Sequence, residues 1–592
     1  MIKLIELIKY VINKKYASLF LGNLINGNNK IYFYDGNDPK LININNLEDI
    51  EKFEKFNLND YWGYAKIDYE FGYKIYNIDS KDFGNNYFIF DKKNNWKVFT
   101  SRDLIFDEKN QDEDSEIINC NLMIQKNDYL EKIREIKNEI KEGNTYQINY
   151  TTKYVFEYQG KLENIIYNLL KKQTTEYSAI INNDSEIIVS ISPELFFKIE
   201  NGIIKSSPMK GTIKRGYSID GDKFLKNSLF KSKKNRAENI MIVDLIRNDL
   251  GKICKKGTVK VDKLFKIEKY ETLYQMISMV SGKLEENIKL KDAIASLFPC
   301  GSITGAPKKS SMKIIKKLEN DIRGIYTGTL GLITYEKLVF NIPIRTLVID
   351  KSLQKGIYGV GSGVTFRSNP LNEYNEVKLK YKFLERQKEF YLIETIFLEN
   401  GNYFLLDEHM KRLETTANYF IFRFPEKEIL EELKKITLSY STGKWKVRIQ
   451  LYKFGNFNIE VEEITDINRD YLITIFPQKI DTKKWWFNFK TSKREVYNTG
   501  LKFAKDNGFD EIIFINKKGE VTEGSFTNIF YKKNGQWYTP AIISGLLDGI
   551  FRQKLIKEGA VEKVTTMNEL IGAEEIILVN SVRGKIRAKL VL

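Results

Sequence analysis

The texture of the sequence restarts near residue 390, and that break constrains the fold more than any other feature. Before it, NPLNEYNEVKLKYKFL reads as a helix over 370–388 that closes the preceding block. After it, FYLIETIFLENGNYFLLDEH reads as a hairpin turning at Asn400–Gly401 and leading into a helix over 407–420. A chain of 592 residues is too long for one core. The final block of about 200 residues is long enough to build its own. The expected division is 1–115, 116–389 and 390–592, with the main boundary at 388–390.

Residues 1–115 are strand-rich with polar turns, as in IYFYDGND and NYFIFDKKNNWKVF. Tyr129, Ile133, Ile136 and Ile140 recur at helical spacing and predict a helix over 126–142. Strands are expected at 146–156 and 186–199, helices near 234–249 and 306–319, and alternating strands and glycine turns over 325–364. The fold class is α+β.

Composition narrows the chemistry. One histidine excludes a two-histidine zinc site and leaves at most one Ser-His or Cys-His pair. Cys120, Cys254 and Cys300 are far apart and none lies in a CxxC, so zinc and disulfide frameworks are disfavoured and a cytoplasmic, reducing setting is expected. No apolar run is long enough to span a membrane, and the lysine-interrupted start fails as a signal peptide. The net charge of +16 comes from 94 basic residues of which 17 are arginine. The lysines are scattered among Asn, Ile and Tyr, which argues against a nucleic-acid face. In such a chain each arginine is a candidate for work that lysine cannot do.

Two helices carry carboxylates at matching spacing. Glu238 follows Asn235 by three residues, and Glu373 and Glu376 are three apart with Lys380 four further on. With no histidine at hand, these are candidate oxygen ligands for Mg²⁺, although spacing alone favours a solvated charged face. The glycine-rich stretches PCGSITGAPK and YGVGSGV lie nearby in the pattern, and Gly361 and Gly363 would let backbone N–H groups approach an anion. Arg345 sits in the apolar stretch FNIPIRTLVID, where a charge needs a partner such as a carboxylate.

Over roughly 120–388 the ordered segments GNTYQINYT, ISPELFFKIENG, SSPMKGTIKRG, KNRAENIMIVDLIRNDLG, FPCGSITGAPK, IPIRTL, GVGSGV and NEYNEVKLK resemble the chorismate-utilising family that includes anthranilate synthase component I. The resemblance implies an α/β sandwich. Gln147 stands where relatives that add water to chorismate carry a lysine, which fits an ammonia-using branch. Lys210, in PMKGT, stands where anthranilate synthases carry alanine and is the mark of the aminodeoxychorismate synthase component I branch. By that resemblance the Lys210 amine attacks ring C2, the C4 hydroxyl leaves, and ammonia then enters at C4 and expels the lysine. Glu194 would be the general acid–base. Glu238 and Glu376, with Glu373 close by, would hold Mg²⁺. Tyr326 and Arg345 would hold the enolpyruvyl carboxylate, and Thr304, Gly361, Gly363 and Lys380 would complete the chorismate pocket. Asn235 replaces the family's usual aspartate, removing a negative charge beside the metal. Gln275 stands where many relatives carry histidine.

Ammonia has no internal source in this reading. His409 lies outside any cysteine-bearing motif, and no nucleophile elbow surrounds the three cysteines. A separate glutamine amidotransferase subunit, or free ammonia, is expected.

In the last block, WWFNFKTSKREVY puts Lys490 at the end of an aromatic strand, where burial would lower its pKa. Glu523 follows the turn of DEIIFINKKGEVTEGSFTNIF. On composition alone a surface lysine and a turn glutamate are the favoured reading. The segments LIET, DEHMKRLETTANYF, KVRIQLY, FKTSKREVY, GEVTEGSFTNIF, SGLLDGIFR and VNSVRG, however, resemble the fold-type IV enzymes that use pyridoxal 5′-phosphate (PLP), a family holding aminodeoxychorismate lyase, D-amino-acid transaminase and branched-chain transaminase. The resemblance implies that Lys490 holds the cofactor covalently, Glu523 keeps its pyridine nitrogen protonated, and Arg412, Ile550, Phe551 and Ser581 cup the phosphate. Such domains usually dimerise, so a homodimer through this block is expected. The two blocks together imply conversion of chorismate and ammonia to aminodeoxychorismate, then to 4-aminobenzoate and pyruvate. The rival within enzymes is an anthranilate synthase fused to a PLP transaminase.

Overall fold

QINYTTKYVFEYQ alternates inward and outward side chains, and in the computed structural model of the chain it forms one thirteen-residue strand, Gln147–Gln159. The structure describes residues 2–106, 114–386, 388–466 and 469–592. The chain divides into two compact units, Met1–Lys214 with Lys226–Gln387, and Arg215–Leu225 with Lys388–Leu592. The excursion of Arg215–Leu225 into the second unit was not expected. Arg215 ties the segment there: it donates to Asp222 at 2.6 and 2.7 Å and, across 204 residues of sequence, to the Tyr419 carbonyl at 2.9 Å.

The first unit is a sandwich of two antiparallel sheets. One runs Gln147–Gln159, Lys355–Thr365, Thr346–Asp350, Ile187–Ser192, Tyr177–Asn182, Ser18–Leu21, Lys30–Tyr34 and Trp96–Thr100, with Gly305–Ala306 at the Gln147 edge. The other runs Met209–Lys214, Leu273–Lys283, Ile203–Ser207, Leu195–Glu200, Leu338–Asn341, Thr329–Ile333, Tyr61–Ile67, Tyr87–Lys92 and Lys40–Asn43. Strands from residues 1–106 therefore extend both sheets. Between the sheets lies a core with an unusual share of large aromatics, including Tyr32, Tyr34, Trp62, Tyr64, Tyr87 and Trp96.

Two sequence expectations change here. The strand expected at 186–199 is two strands in different sheets, Ile187–Ser192 and Leu195–Glu200. Pro193 lacks the N–H a ladder needs, so the chain crosses between sheets at Pro193–Glu194. The helix expected over 370–388 ends at Lys380, followed by a 3-10 turn at Tyr381–Phe383, and residue 387 lies outside the described residues. Lys172 Nζ donates to the carbonyls of Lys382, Phe383 and Glu385, satisfying groups a longer helix would have used. The helices at Lys126–Lys141, Lys233–Gly251 and Lys308–Leu318 lie within two residues of those expected at 126–142, 234–249 and 306–319.

The second unit has a four-stranded sheet, Asn402–Tyr403, Leu392–Glu399, Lys444–Leu451 and Phe457–Glu463, packed against helices Leu406–Phe420 and Glu426–Ser439. Asn400 and Gly401 both have positive φ, as the tight turn of the expected hairpin requires. An eight-stranded mixed sheet supplies the rest of the unit, with its core around Ile473, Ile513, Ile529 and Leu578. Among the described residues no helix is long and apolar enough to cross a membrane.

Two candidate active sites

Lys210 lies in the edge strand Met209–Lys214, whose register slips between Met209 and Thr212. Its Nζ donates to Asn149 Oδ1 at 3.3 Å. Asn149 pairs across the sheet with Gly363. A Cβ at Gly363 would stand 2.9 Å from Gln147 Nε2, 3.1 Å from Asn149 Oδ1 and 3.3 Å from Lys210 Nζ. Gly363 is thus the floor on which three polar groups meet. Gln147 Oε1 and Asn149 Nδ2 are buried and make no hydrogen bond, so a polar ligand is the natural partner for both.

Glu194, at the crossing between sheets, is 4% exposed and accepts from Ser302 Oγ at 2.8 Å. Burial pushes its carboxyl up to about 6, against the pull of Ser302 and Lys210. Burial lowers the Lys210 amine in turn, with Glu194 and Glu238 opposing. A carboxyl able to carry a proton and a lysine shifted toward its neutral form are thus electrostatically coupled.

The other expected pocket residues are placed unevenly. Gly361 and Gly363 do not form a turn. They lie inside the strand Lys355–Thr365, where the ladder to Gln147–Gln159 uses their backbone. What the missing side chains give is close approach: a Cβ at Gly361 would meet the Tyr150 carbonyl at 2.6 Å. Arg345 is not within a strand but in the connection between Leu338–Asn341 and Thr346–Asp350, with φ of 52°. Its Nη1 is buried without a hydrogen bond, and burial lowers its pKa. The ring of Tyr326 lies over Gly359, where a Cβ would be 2.2 Å from it. Thr304 is fully buried; its hydroxyl donates to the Cys300 carbonyl at 3.0 Å and its carbonyl accepts from Asn149 N at 2.8 Å. Lys380 Nζ donates to the Gly361 carbonyl and pairs with Glu376 at 3.0 Å.

The carboxylates expected to hold Mg²⁺ do not converge. Glu376 is engaged by Lys380, Glu238 is 3.9 Å from Lys234, and among the described residues no three His, Cys, Asp or Glu side chains are gathered as a metal site. Glu238 and Glu376 do both act on the Lys210 amine, so they border the same region. Asn235 donates through Nδ2 to Ser232 Oγ at 2.9 Å, at the start of its helix.

Sequence reasoning missed Asn149 and Ser302. Asn149 was within reach, since it lies two residues from Gln147 on the same face of a strand. Ser302 approaches Glu194 from 108 residues away, and no local signal marks it.

In the second unit Lys490 does not end a strand. It follows a 3-10 turn at Trp485–Phe487 in irregular backbone, and its carbonyl accepts from Ile393 N at 3.0 Å, fixing it against Leu392–Glu399. Burial lowers its amine to about 7, with Glu394 opposing and Arg412 assisting. Lys490, Glu523, Arg412, Ile550, Phe551 and Ser581 all line one cavity of about 380 Å³.

Glu523, 5% exposed, accepts from Tyr497 Oη at 2.6 Å, Leu547 N at 3.0 Å and Asn528 Nδ2 at 3.2 Å. Burial pushes its carboxyl up to about 8 despite Tyr497 and Leu547. Arg412 commits Nε and Nη2 to Glu394 at 2.7 and 2.8 Å, and Nη1 to the Asp548 carbonyl at 3.2 Å. Of a guanidinium's five N–H groups, two stay available to an anion. Ile550 opens the helix Ile550–Lys557, whose N-cap Gly549 offers no side-chain hydrogen bond. Its first N–H groups therefore face an anion site without competition.

These residues fit PLP: a buried carboxyl that accepts from Tyr497 for a pyridinium nitrogen, an arginine and a helix start for a phosphate, and a lysine near neutrality for an aldehyde. Tyr497, Asn528 and Glu394 were not anticipated. Tyr497 sits seven residues after Lys490, in the first turn of the helix Glu495–Asp506, which is the one local hint it offered.

Residues 87–386 match the family described as chorismate binding enzyme, and residues 391–591 match amino-transferase class IV. The chain is 39% identical over 264 residues to a probable aminodeoxychorismate synthase, chloroplastic, of Oryza sativa, covering 43% of this chain and 29% of that one. It is 35% identical over 251 residues to aminodeoxychorismate synthase component 1 of Salmonella typhimurium, covering 42% and 55%. It is 35% identical over 263 residues to anthranilate synthase component 1 of Saccharolobus solfataricus, covering 44% and 62%. Each match spans less than two thirds of the relative's length. The solved anthranilate synthase component I of Streptococcus pneumoniae shares the fold of the first unit, with a TM-score of 0.51 at 21% identity over 62% of this chain and 90% of that one.

Proposed function

The chain belongs to the chorismate binding enzymes, and from that premise we propose that it aminates chorismate to 4-amino-4-deoxychorismate and then eliminates pyruvate to give 4-aminobenzoate, a folate precursor. The functional division lies at 388–390 in this reading. The observation that carries it is the meeting of Lys210 Nζ with Asn149, Gln147 and Gly363, with Glu194 coupled to the amine. Lysine at this point, where the resemblance implies alanine in anthranilate synthases, supports C4 rather than C2 amination.

In the first reaction the neutral Lys210 amine attacks ring C2 as both ring double bonds shift and the C4 hydroxyl leaves with a proton from Glu194. Ammonia attacks C4, both double bonds shift back, and the lysine departs. Two displacements replace one difficult step. Gln147 Oε1 and Asn149 Nδ2 are free to bind the substrate's polar groups or ammonia. The unpaired Arg345 Nη1 supports a role in holding a substrate carboxylate. Mg²⁺ near Glu238, Glu373 and Glu376 belongs to the reading as a requirement to be tested. Since those carboxylates are not gathered, no step is routed through it.

In the second unit Lys490, Glu523, Arg412, the Ile550 and Phe551 amides and Ser581 would hold PLP. When bound, PLP supplies an electron sink that lets the C4 proton leave. Lys490, neutral near pH 7, is the base that takes this proton. Glu523 keeps the ring nitrogen's proton in place. Aromatic product forms as pyruvate departs from C3. Ammonia would come from a separate glutamine amidotransferase, a homodimer through the second unit is the proposed assembly, and the three free thiols support a cytoplasmic setting.

One assay tests this: the purified chain with chorismate, ammonium, Mg²⁺ and PLP, followed by product chromatography. 4-Aminobenzoate and pyruvate in equal amounts are expected. Anthranilate as the main product would overturn the first half, and accumulation of aminodeoxychorismate would overturn the second.

A further inference from the structure

The strand Gln147–Gln159 is paired along one edge with Lys355–Thr365. On its other edge Gly305–Ala306 reaches only as far as Ile148, and the pairing with Glu116–Leu122 starts at Tyr154. Among the described residues no strand fills the gap between them, and the backbone groups there still need partners. An ion pair takes the missing strand's place. Glu319, just past the helix Lys308–Leu318, meets Arg323 at 2.7 Å, with side chains 7% and 2% exposed. Glu319 Oε1 accepts from Thr151 N at 2.7 Å, and Arg323 Nη2 donates to the Asn149 carbonyl at 2.7 Å. Asn149 N donates in turn to the Thr304 carbonyl.

The other arm of the guanidinium, Nη1, donates to the Ile303 carbonyl at 3.1 Å and to Thr327 Oγ1 at 3.4 Å. With Nε on Glu319 Oε2 at 2.8 Å and Nη2 also on Glu319 Oε1, all five N–H groups have acceptors. The main chain of Arg323 is fixed as well, since Glu70 accepts from Arg323 N at 2.7 Å and Gly324 N at 3.1 Å. The two carbonyls it grips belong to the two arms of the proposed chemistry. Asn149 accepts from the Lys210 amine through its side chain. Ile303 follows Ser302, which donates to Glu194. Lysine, a point charge with three donors, does not reproduce a fork that spans both while holding a carboxylate.

We propose that Arg323 is a positioning residue for the first reaction: by gripping the main chain at Asn149 and at Ile303 it sets the distance between the Lys210 nucleophile and the Glu194 acid. The inference rests on the reading that Lys210 and Glu194 act on chorismate. Arg323 works through the main chain and not through the substrate, so its loss bears on the chemical step more than on binding.

The test uses the full chain with saturating ammonium and Mg²⁺, and follows chorismate consumption below the temperature at which each variant starts to unfold. Arg323→Lys should lower kcat by about 100-fold and leave KM for chorismate within about threefold. The same substitution made in an Asn149→Ala or a Ser302→Ala chain, where one arm is already lost, should cost about tenfold or less. Glu319→Gln, which keeps the shape of the pair, should lose about tenfold in kcat with KM kept, and decides the matter by the same cycle should Arg323→Lys fail to fold. Equal losses in all three backgrounds would make the role merely structural and overturn the proposal. A raised KM with kcat kept, or a loss no larger than the loss of folded protein, would also overturn it. A wild-type chain that turns chorismate into anthranilate, or does not consume it, overturns the underlying reading and the inference with it, and product chromatography identifies that case.

Discussion

His409 Nδ1 lies 2.7 Å from Glu394 Oε2, and the same carboxylate grips Arg412 through both oxygens. Burial opposes ionisation of Glu394, yet the Arg412 guanidinium and His409 hold it well below the usual carboxylate range. Burial lowers the histidine, with Glu394 opposing. The single histidine thus supports the support of the phosphate arginine. Glu394→Gln should weaken PLP binding by roughly 10- to 100-fold, since Arg412 loses its charged clamp. His409→Leu should cost about 1–3 kcal/mol of stability and affect PLP less. Absorbance titration with PLP and thermal unfolding measure the two. A larger PLP defect in His409→Leu than in Glu394→Gln would reverse the order argued here.

The Lys490 amine in the cofactor-free chain should titrate near 7 rather than at the ordinary lysine value of 10.5. Its reactivity toward PLP, trapped by borohydride and located by peptide mapping, should therefore rise with a midpoint near pH 7. The stability sign follows: between about 7 and 10.5 the unfolded chain binds the extra proton, so the contribution of Lys490 to stability improves as pH rises and is lost as pH falls through 7. A trapping midpoint above 9 would contradict the burial argument.

Lys210→Ala should abolish the first reaction or redirect it toward anthranilate, and leave PLP absorbance unchanged. Gly363→Ala should damage the same reaction by at least about tenfold, because the new methyl meets Gln147, Asn149 and Lys210. Gly363 does not have a left-handed φ, so the fold should survive. Product chromatography and circular dichroism separate these effects, and full activity in Gly363→Ala would show that the three groups need not meet there.

Chelation by EDTA should stop the first reaction and spare the second, when the second is supplied with aminodeoxychorismate. Glu238→Gln should raise the Mg²⁺ concentration needed for half-maximal rate by about tenfold or more. An EDTA-insensitive first reaction would remove Mg²⁺ from the scheme.

Much of both sites was legible because the residue and its backbone context travel together. PMKGT marks Lys210, and GEVTEGSFTNIF puts Glu523 on the second strand of a hairpin. Backbone context failed where a long-range constraint intervened. Arg345 reads as part of an apolar strand, but the chain leaves the sheet there with a positive φ. Gly361 and Gly363 read as a turn, but pairing with Gln147–Gln159 draws them into a strand. Lys490 reads as a strand end, but the chain around it is irregular and anchored to Ile393.

Acting alone, the sequence determined two cores, the α+β class and the ionisable groups on which each candidate site depends. Those follow from apolar periodicity and from residue type, both of which are local. Tertiary structure decided which groups are left unpaired. Arg412 and Arg345 are the same residue type, yet Glu394, 18 residues from Arg412, claims the first, while Nη1 of the second is buried without a hydrogen bond. Hydrogen bonding is short-ranged and saturable, so its partners are fixed only once strands and helices have set their register, and it is the unsatisfied remainder that a ligand can use.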